Sequence, residues 1–496
     1  MHLLKGVSWN FIAAVWMAVM TVLVTPLYVF KLGLDAYGII AIWLVFQSVM
    51  NFFDFGLGAT LTKEFSTKNN REGKEYNYSD ILQTIEIVYW GISTVCVVFL
   101  ILVTNLFFIE LIDLKFANID DISTIMLLMF ISLFFQFPNI LYLSGLIGLQ
   151  SHQTVSILQI AGNTLKFGVG ALIFFIKPDL VAFFCAQIIV ALLQTFISRF
   201  FLWKHISKES SPEFFFNFNI IRRVRHFSKH MALTSLLAVL ISNIDKFFVF
   251  SLLPSEDFGR YSLAFTATGF LQLAIQPFYR SFFPRYSELF SNDKQDTLEI
   301  EYFTTNKLIA FLLVSLAVIC VVFANEIFFV WMGKVDPRIV LVFRFLIVGI
   351  MFSGLGWLPA AFQQAIGWPE LHVKMMLISL LLAIPVLIFS IHYFGLLGAT
   401  FIWLIHGVID ITLGLWIMHR TVLKGKLKQW YLDVFFPPFK YAIPIVLISA
   451  LLKPTGLGRI STFFWVALTS LFIFALIGFR IRNIILLQKN FEDEKG

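Results

Sequence analysis

Charged residues are scarce in this sequence. Only 14% of its 496 residues are Asp, Glu, Lys or Arg, whereas soluble domains have roughly 25%. Hydrophobic residues make up 59% of the chain, and the mean hydropathy is +0.84. This composition excludes an ordinary soluble domain and indicates an integral membrane protein that crosses the bilayer many times.

The sequence also lacks the motifs of several kinds of catalytic or metal site. Its three cysteines lie singly in apolar runs, without the spacing of a zinc site or a disulfide framework. GxxxxGKS or GxxxxGKT, HExxH and GxSxG are all absent, so no P-loop, metalloprotease centre or nucleophile elbow is indicated. We therefore expect no metal, no cofactor and no enzyme activity. The short predicted external loops likewise disfavour a membrane enzyme of glycan assembly.

Apolar runs long enough to cross a bilayer, about 20 residues each, occur fourteen times and predict an all-α membrane protein. The first run continues to Phe30 without a small-residue cleavage site, which favours a spanning helix over a removed signal peptide. The predicted spans are 7–31, 37–61, 82–109, 122–149, 153–176, 180–203, 227–252, 258–283, 306–331, 338–366, 371–393, 395–419, 439–452 and 461–481.

The distribution of basic residues predicts the orientation of these spans. An amino terminus on the inside places most of the 37 Lys and Arg residues in cytoplasmic segments. Both termini are then cytoplasmic. The basic segment RFFLWKHISKESSPEFFFNFNIIRRVRHFSKH, which begins at Arg199, would lie against the anionic inner leaflet and anchor the chain there. Attraction of an anionic lipid headgroup is the alternative, and no nucleic-acid partner is expected.

A weak internal repeat predicts two lobes. GLDAYG at 33–38 resembles SEDFG at 255–259, and TLTKEFS at 60–66 resembles SFFPRYS at 281–287. The two segments of each pair are separated by the same distance, 221 residues. Six helices per repeat make the two halves parallel. The predicted domains are an amino-terminal lobe at 1–203, a basic cytoplasmic linker at 204–226, a second lobe at 227–420, and two additional helices with a tail at 421–496.

Polar side chains inside the spans are the candidate functional residues, because hydrocarbon penalises charge and such residues line substrate or ion pathways. Lys166, near the middle of its span, is expected to meet a phosphate or to balance a carboxylate. The candidates for proton coupling are Asp54, His406 and Asp410. The candidates for a substrate pathway are Asn51, Asp54, Asn163, Lys166, Asp245, Lys246, Gln272, Gln276, Arg280 and Arg344.

Several of these residues also have a structural interpretation. Asp54 shares a predicted helix face with Gln47 and Asn51, and it either lines a water-filled cavity or makes an interhelical pair. His406 and Asp410 are spaced i, i+4, and the pair would either exchange a proton near neutral pH or only pack.

The two arginine candidates also have a functional and a structural interpretation. Arg280 and Arg344 either line the pathway or extend to the membrane interface. Gln272, Gln276 and Arg280 follow one another at i+4 steps, a stripe suited to sugar hydroxyls and phosphate oxygens. Asp245 and Lys246 are adjacent, and we expect their side chains to point in different directions and not to neutralise only each other.

Two segments resemble a known family. FKLGLDAYGIIAIWLVFQSVMNFFDFGLGATLTKEFS, from Phe30, and ISNIDKFFVFSLLPSEDFGRYSLAFTATGFLQLAIQPFYRSFFPRYSEL, from Ile241, resemble the O-antigen type of polysaccharide-export flippases in the multidrug/oligosaccharidyl-lipid/polysaccharide (MOP) exporter superfamily. The resemblance implies two six-helix lobes around a central cavity in the bacterial cytoplasmic membrane, with all of the pathway candidates except Asn163 and Arg344 as cavity positions.

The resemblance also implies an activity and partners. An undecaprenyl-diphosphate-linked oligosaccharide would move to the external leaflet by alternating access, driven by an ion gradient (H+ or Na+) or by the membrane potential. Membrane lipid and other polysaccharide assembly proteins are the further implied partners. A small-molecule antiporter of the same superfamily is the alternative. The related lipid II flippases line their cavity with several arginines, which makes a peptidoglycan role less fitting here.

Overall fold

The computed structural model describes residues 2–67, 78–108, 116, 121–206, 216–454, 456, 458–473 and 475. Within those ranges the regular structure is helical and contains no strand. The chain divides into two compact units, Met1–Gly259 and Arg260–Gly496. The predicted lobe and linker boundaries stay predictions, and residues 207–215 of the linker lie outside the described part of the chain.

The first unit is built from long apolar helices that pack in pairs. Helix α1 packs along α6, α4 along α7, and α2 along α5. The helices are α1 (His2–Phe52), α2 (Leu57–Thr67), α3 (Tyr78–Val103), α4 (Ile122–Gln136), α5 (Asn139–Gly148), α6 (His152–Ile176), α7 (Leu180–Ile206) and α8 (Phe218–Leu252), and α9 (Ser255–Ser291) begins here and continues into the second unit.

In the second unit α12 packs on α16, α14 packs on α16, and α10 packs on both α12 and α19. The remaining helices are α10 (Gln295–Val322), α11 (Ala324–Met332), α12 (Pro337–Leu355), α13 (Trp357–Ala365), α14 (Pro369–Phe394), α15 (Leu396–Ala399), α16 (Phe401–Ile409), α17 (Leu415–Thr421), α18 (Leu427–Trp430), α19 (Phe436–Leu451) and α20 (Arg459–Ile473).

Local sequence explains several of these boundaries. Asp336 caps α12 by accepting a hydrogen bond from the Arg338 N–H at 2.8 Å, and Pro337 occupies the first turn, where no N–H is needed. Helix α1 bends at Gly33, whose φ of 80° requires a residue without a Cβ. Helices α19 and α20 pack on α10 through a core that includes Phe311, Val446 and Ile473.

Ten described helical segments are long and apolar enough to cross a membrane. The predicted spans 7–31 and 37–61 fall within or beside one of them, Ile12–Phe52, which contains the Gly33 bend. The predicted spans 227–252 and 258–283 fall in α8 and α9. The side chains of 219–235 in α8 lie outside the described part, so α8 is not assessed over its full length, and α9 is not among the ten. The last span begins in α20, and its residues beyond 475 lie outside the described part. The number fourteen and the side of each terminus stay predictions.

Candidate functional site

Lys166 lies in α6 with its side chain directed at α1. Its Nζ donates a hydrogen bond to Gln47 Oε1 at 3.1 Å and stands 4.3 Å from the centre of the Trp43 ring. No carboxylate among the described residues makes an ion pair with it. The amide dipole and the ring face solvate the cation in part. An ammonium held this way has capacity left for an anion.

A second layer of contacts fixes these partners. Trp43 Nε1–H donates to Ser132 Oγ at 3.0 Å, and the Trp43 ring packs edge-on against Phe183 and Phe184. Gln187 Nε2 donates to the Lys166 backbone carbonyl at 3.0 Å. Both the ring under the ammonium and the backbone that carries it are therefore held by neighbouring helices.

A polar pocket opens beside Gln47 in the first unit. Its four polar lining side chains are all carboxamides, which both donate and accept hydrogen bonds. Its cavity volume is about 100 Å³, less than the roughly 300–1,000 Å³ of a drug-sized ligand site but room for several water-sized polar groups. We call it the amide pocket; it is lined by Gln47, Met50, Asn51, Leu133, Gln136, Phe137, Asn139, Ile140 and Leu143.

The amide pocket lies beside an interruption of the helical hydrogen bonding between α4 and α5. Pro138 has no N–H, so it cannot donate to the Phe134 carbonyl in the preceding turn. Ser93 Oγ donates to that carbonyl instead at 2.8 Å, and Thr195 Oγ1 donates to the Phe135 carbonyl at 2.6 Å. Hydroxyls from α3 and α7 thus satisfy the backbone at the break, as membrane proteins require.

Asp54 does not lie in a continuous helix, and the expectation that it continues the face of Gln47 and Asn51 is wrong. Helix α1 ends at Phe52, and Phe55 (φ 46°) and Gly56 (φ 75°) form a left-handed turn. The Asp54 carboxylate turns back to accept hydrogen bonds from the Gly58 N–H at 2.9 Å and from the Tyr89 hydroxyl. It thereby satisfies an otherwise unpaired N–H at the start of α2.

Asp245 and Lys246 contact each other, contrary to expectation. Lys246 Nζ lies 3.3 Å from Asp245 Oδ1 and donates to the Ser242 carbonyl at 2.6 Å. Both side chains are buried. Lys246 also lines a second, mainly apolar pocket in the first unit, with a cavity volume of about 120 Å³, together with Phe46, Phe247 and other hydrophobic side chains.

In the second unit the structure brings His406 and Asp410 together. His406 Nε2 lies 3.6 Å from Asp410 Oδ2, and His406 Nδ1 lies 3.2 Å from Ser379 Oγ. Their side chains are only 9% exposed. His372 of α14 is close enough to interact electrostatically with both. A π-helical segment, Asp410–Gly414, begins at this carboxylate, and such segments frequently mark functional sites.

The other predicted pathway residues are dispersed. Asn163 is half-buried in α6, Gln272 is half-buried and Gln276 exposed in α9. Arg344 Nε donates to the Val321 carbonyl at 2.9 Å, a contact between α12 and α10. The side chain of Arg280 lies outside the described part of the structure.

Sequence reasoning missed Gln136 and Asn139, two of the four amides in the pocket. The available signal was FQFPN, in which amides flank a proline inside an apolar run. The sequence also contains no signal for Trp43, whose ring lies beneath the Lys166 ammonium. A single tryptophan in a hydrophobic span has no distinguishing pattern.

Proteins from two bacteria have sequences similar to this chain. A Shigella flexneri protein named "Putative O-antigen transporter" is 21% identical over 428 residues, which cover 85% of this chain and 98% of that protein. A Klebsiella pneumoniae protein, "Uncharacterized membrane protein in cps region", is 26% identical over 233 residues, 46% of this chain and 47% of that protein.

Two kinds of solved transporter have a similar fold. The inward closed conformation of the lipid II flippase MurJ matches with a TM-score of 0.71 at 14% identity, over 97% of this chain and all of that one. An inward-facing MATE family multidrug transporter of the MOP superfamily matches with a TM-score of 0.60 at 13% identity, over 85% of this chain and 95% of that one. At such identities the likeness shows the fold alone.

The sequence family agrees with this fold and confirms the resemblance expected from the segments at Phe30 and Ile241. Residues 3–290, more than half of the chain, match the Polysaccharide biosynthesis protein family. The ten apolar helices and the relatives place the chain in the bacterial inner membrane as a multi-pass protein. The chain therefore belongs to the polysaccharide biosynthesis protein family, with the fold of the MOP transporters.

Proposed function

We propose that this protein is a flippase that moves a lipid-linked oligosaccharide of a surface polysaccharide from the cytoplasmic to the external leaflet. The observation that carries the proposal is the Lys166 ammonium, held by Gln47 and Trp43 at the edge of the amide pocket without a carboxylate partner. The family match and the O-antigen relative support the same class of substrate.

The chemistry of the substrate fits this arrangement. A polyprenyl-diphosphate-linked sugar has an anionic diphosphate beside neutral hydroxyls, and Lys166 supplies a cation while the neighbouring amides supply hydrogen bonds. A phosphate would exchange with Gln47 as the partner of the ammonium, which gives an ion pair in place of a hydrogen bond to an uncharged acceptor. Because the ammonium is already partly desolvated, less water must be removed when the phosphate binds.

Alternating access and its coupling form part of this proposal. His406 and Asp410, with His372 close by, form a cluster of titratable groups in the second unit. Membrane carboxylate and histidine clusters serve as proton relays, so we assign proton coupling to this cluster, with Na+ as the alternative ion. Asp54 remains a further proposed coupling residue, although its carboxylate also caps α2.

The decisive experiment is mass spectrometry of lipid-linked oligosaccharides, resolved by leaflet, in a host that lacks this protein. Completed units on the cytoplasmic leaflet, which move outward when the gene is restored, are the expected result. Completed units found outside in normal amounts would overturn the proposal in favour of a small-molecule exporter. Unfinished units would point to an enzyme of glycan assembly.

The same lipid fraction allows coupling to be tested in vesicles with an imposed pH or Na+ gradient. We expect a pH gradient to accelerate transport by the wild-type protein and to have no effect on Asp410→Asn. Equal acceleration of both proteins would exclude Asp410 as the coupling group. Acceleration by a Na+ gradient alone would identify Na+ as the coupling ion instead of the proton.

A further inference from the structure

We propose that the amide pocket is a subsite for one neutral sugar residue, bearing hydroxyl or acetamido groups, next to the diphosphate of the lipid-linked substrate. This inference rests on the proposed flippase function and adds to it the chemical class of the sugar and the residues that bind it. Neither Gln136 nor Asn139 was among the residues expected to be functional.

The lining of the pocket sets the class of ligand. Its nine residues include four carboxamides and no Asp, Glu, Lys, Arg or His. A carboxamide donates and accepts at once, as a sugar hydroxyl or an acetamido group does. A uronic acid would bring a carboxylate into the pocket without a cation among the lining residues, at a large desolvation cost. The lining therefore selects neutral sugars over acidic ones.

Unused hydrogen-bonding capacity in the pocket indicates that a ligand completes it. Asn139 Oδ1 is buried and has no hydrogen-bond partner among the described residues. The side chains of Asn51 and Gln136 likewise make no hydrogen bond to any residue that the structure describes. An unsatisfied buried acceptor costs about 1–3 kcal/mol, which a sugar hydroxyl donating to Asn139 would relieve.

Gln47 fixes the position of this subsite relative to Lys166. Its side chain lines the amide pocket, and its Oε1 accepts the hydrogen bond from Lys166 Nζ at 3.1 Å. A ligand that engages both would place its anionic group at Lys166 and its neutral group in the pocket. In a glycan linked to diphosphate, the sugar nearest the diphosphate meets this condition.

The test is protection of a thiol placed in the pocket wall. Ile140→Cys introduces the thiol without removing an amide, and exposed Cys185, outside the pocket, is the internal control, while Cys96 and Cys320 are buried. The full-length protein in nanodiscs is alkylated with or without three probes: N-acetylglucosamine, glucuronic acid, and the glycan released by mild acid from the trapped lipid fraction. Peptide mass spectrometry then gives the alkylation rate at each thiol.

We expect N-acetylglucosamine and the released glycan to slow alkylation of the introduced thiol several-fold, while Cys185 reacts at one rate throughout. Glucuronic acid is compared in a Lys166→Met background, where its carboxylate cannot pair with the neighbouring ammonium, and there it should have no effect. Adding Asn139→Leu should abolish protection, whereas Gln153→Leu, an exposed amide outside the pocket, should preserve it. Protection by glucuronic acid equal to that by N-acetylglucosamine in the Lys166→Met background, or no protection by the released glycan with Lys166 in place, would overturn the inference. Leaflet analysis of the wild type tests the flippase function separately, so transport without protection would reject the subsite alone.

Discussion

At the scale of single residues, Lys166 shows how a membrane segment keeps a cation without an anion. An unsolvated ammonium in hydrocarbon is costly, but Gln47 Oε1 at 3.1 Å and the Trp43 ring at 4.3 Å supply partial compensation. Neither partner carries a full negative charge. A substrate phosphate, as proposed above, would supply the full negative charge that these two partners lack.

We expect Lys166→Met to lower transport by about tenfold or more, equivalent to roughly 1.4 kcal/mol or more of lost interaction. Methionine matches the shape of the lysine stem and removes the desolvation cost, so abundance in the membrane should stay at the wild-type level. The measurement is the ratio of external to cytoplasmic lipid-linked units. Lys177→Met is the control, because Lys177 follows the same helix and its side chain is 80% exposed. Equal ratios for both variants would remove Lys166 from the mechanism.

The sequence indicated which residue types to examine, but not their local geometry. The cost of charge in hydrocarbon singled out Asp54 and Lys166 without any structure. The turn that redirects Asp54 depends on a left-handed Phe55, and phenylalanine rarely adopts a positive φ. The bond between the adjacent Asp245 and Lys246 depends on side-chain rotamers, which spacing along a helix does not determine.

At the scale of helices, breaks in the spans bring polar residues together. Gly33 bends α1, the Asp54–Gly56 turn separates α1 from α2, and Pro138 separates α4 from α5. Apolar run length predicts that a span exists, because burial in lipid depends on composition. It does not predict a break inside the span, since the compensating hydroxyls of Ser93 and Thr195 come from helices distant in sequence.

We expect Pro138→Ala to reduce transport several-fold without reducing thermal stability by more than a few degrees. An N–H at position 138 can bond to the Phe134 carbonyl and displace Ser93, which would straighten the span and turn Asn139 away from Gln47. The backbone hydrogen bond gained in the helix offsets the higher conformational entropy that the unfolded chain has without the proline. Transport and melting temperature are measured on the same preparations.

A matched variant separates the break from a general effect of losing a proline. Pro444 lies inside α19 and is exposed, away from the residues that line the amide pocket. Pro444→Ala should leave transport near the wild-type level. Wild-type transport by Pro138→Ala would show that the break has no functional role.

At the scale of the whole molecule, composition determined the class of protein and the short internal repeat suggested its organisation. Sparse charge and long apolar runs led directly to a multi-pass membrane protein, and the family and fold comparisons agree. Helix α9 is less clear, because it is not among the ten apolar segments. It carries Gln272 and Gln276, and helices that line a polar pathway are expected to be less apolar than lipid-facing ones.

The repeat predicts that α8 and α9 nevertheless cross the membrane, since the segments at 255–259 and 281–287 occupy the places of those at 33–38 and 60–66. Single cysteines introduced in a Cys185→Ser background can test this, with Cys96 and Cys320 buried.

We expect an impermeant maleimide on intact cells to label Pro178→Cys and Pro254→Cys, and to label Asp293→Cys only after permeabilisation. Basic residues favour the cytoplasmic side, which places the loop after α6 outside and the turn after α9 inside. If α8 and α9 do not cross, Pro254→Cys will be protected together with Asp293→Cys, and an inverted pattern at all three sites would reverse the orientation of the chain.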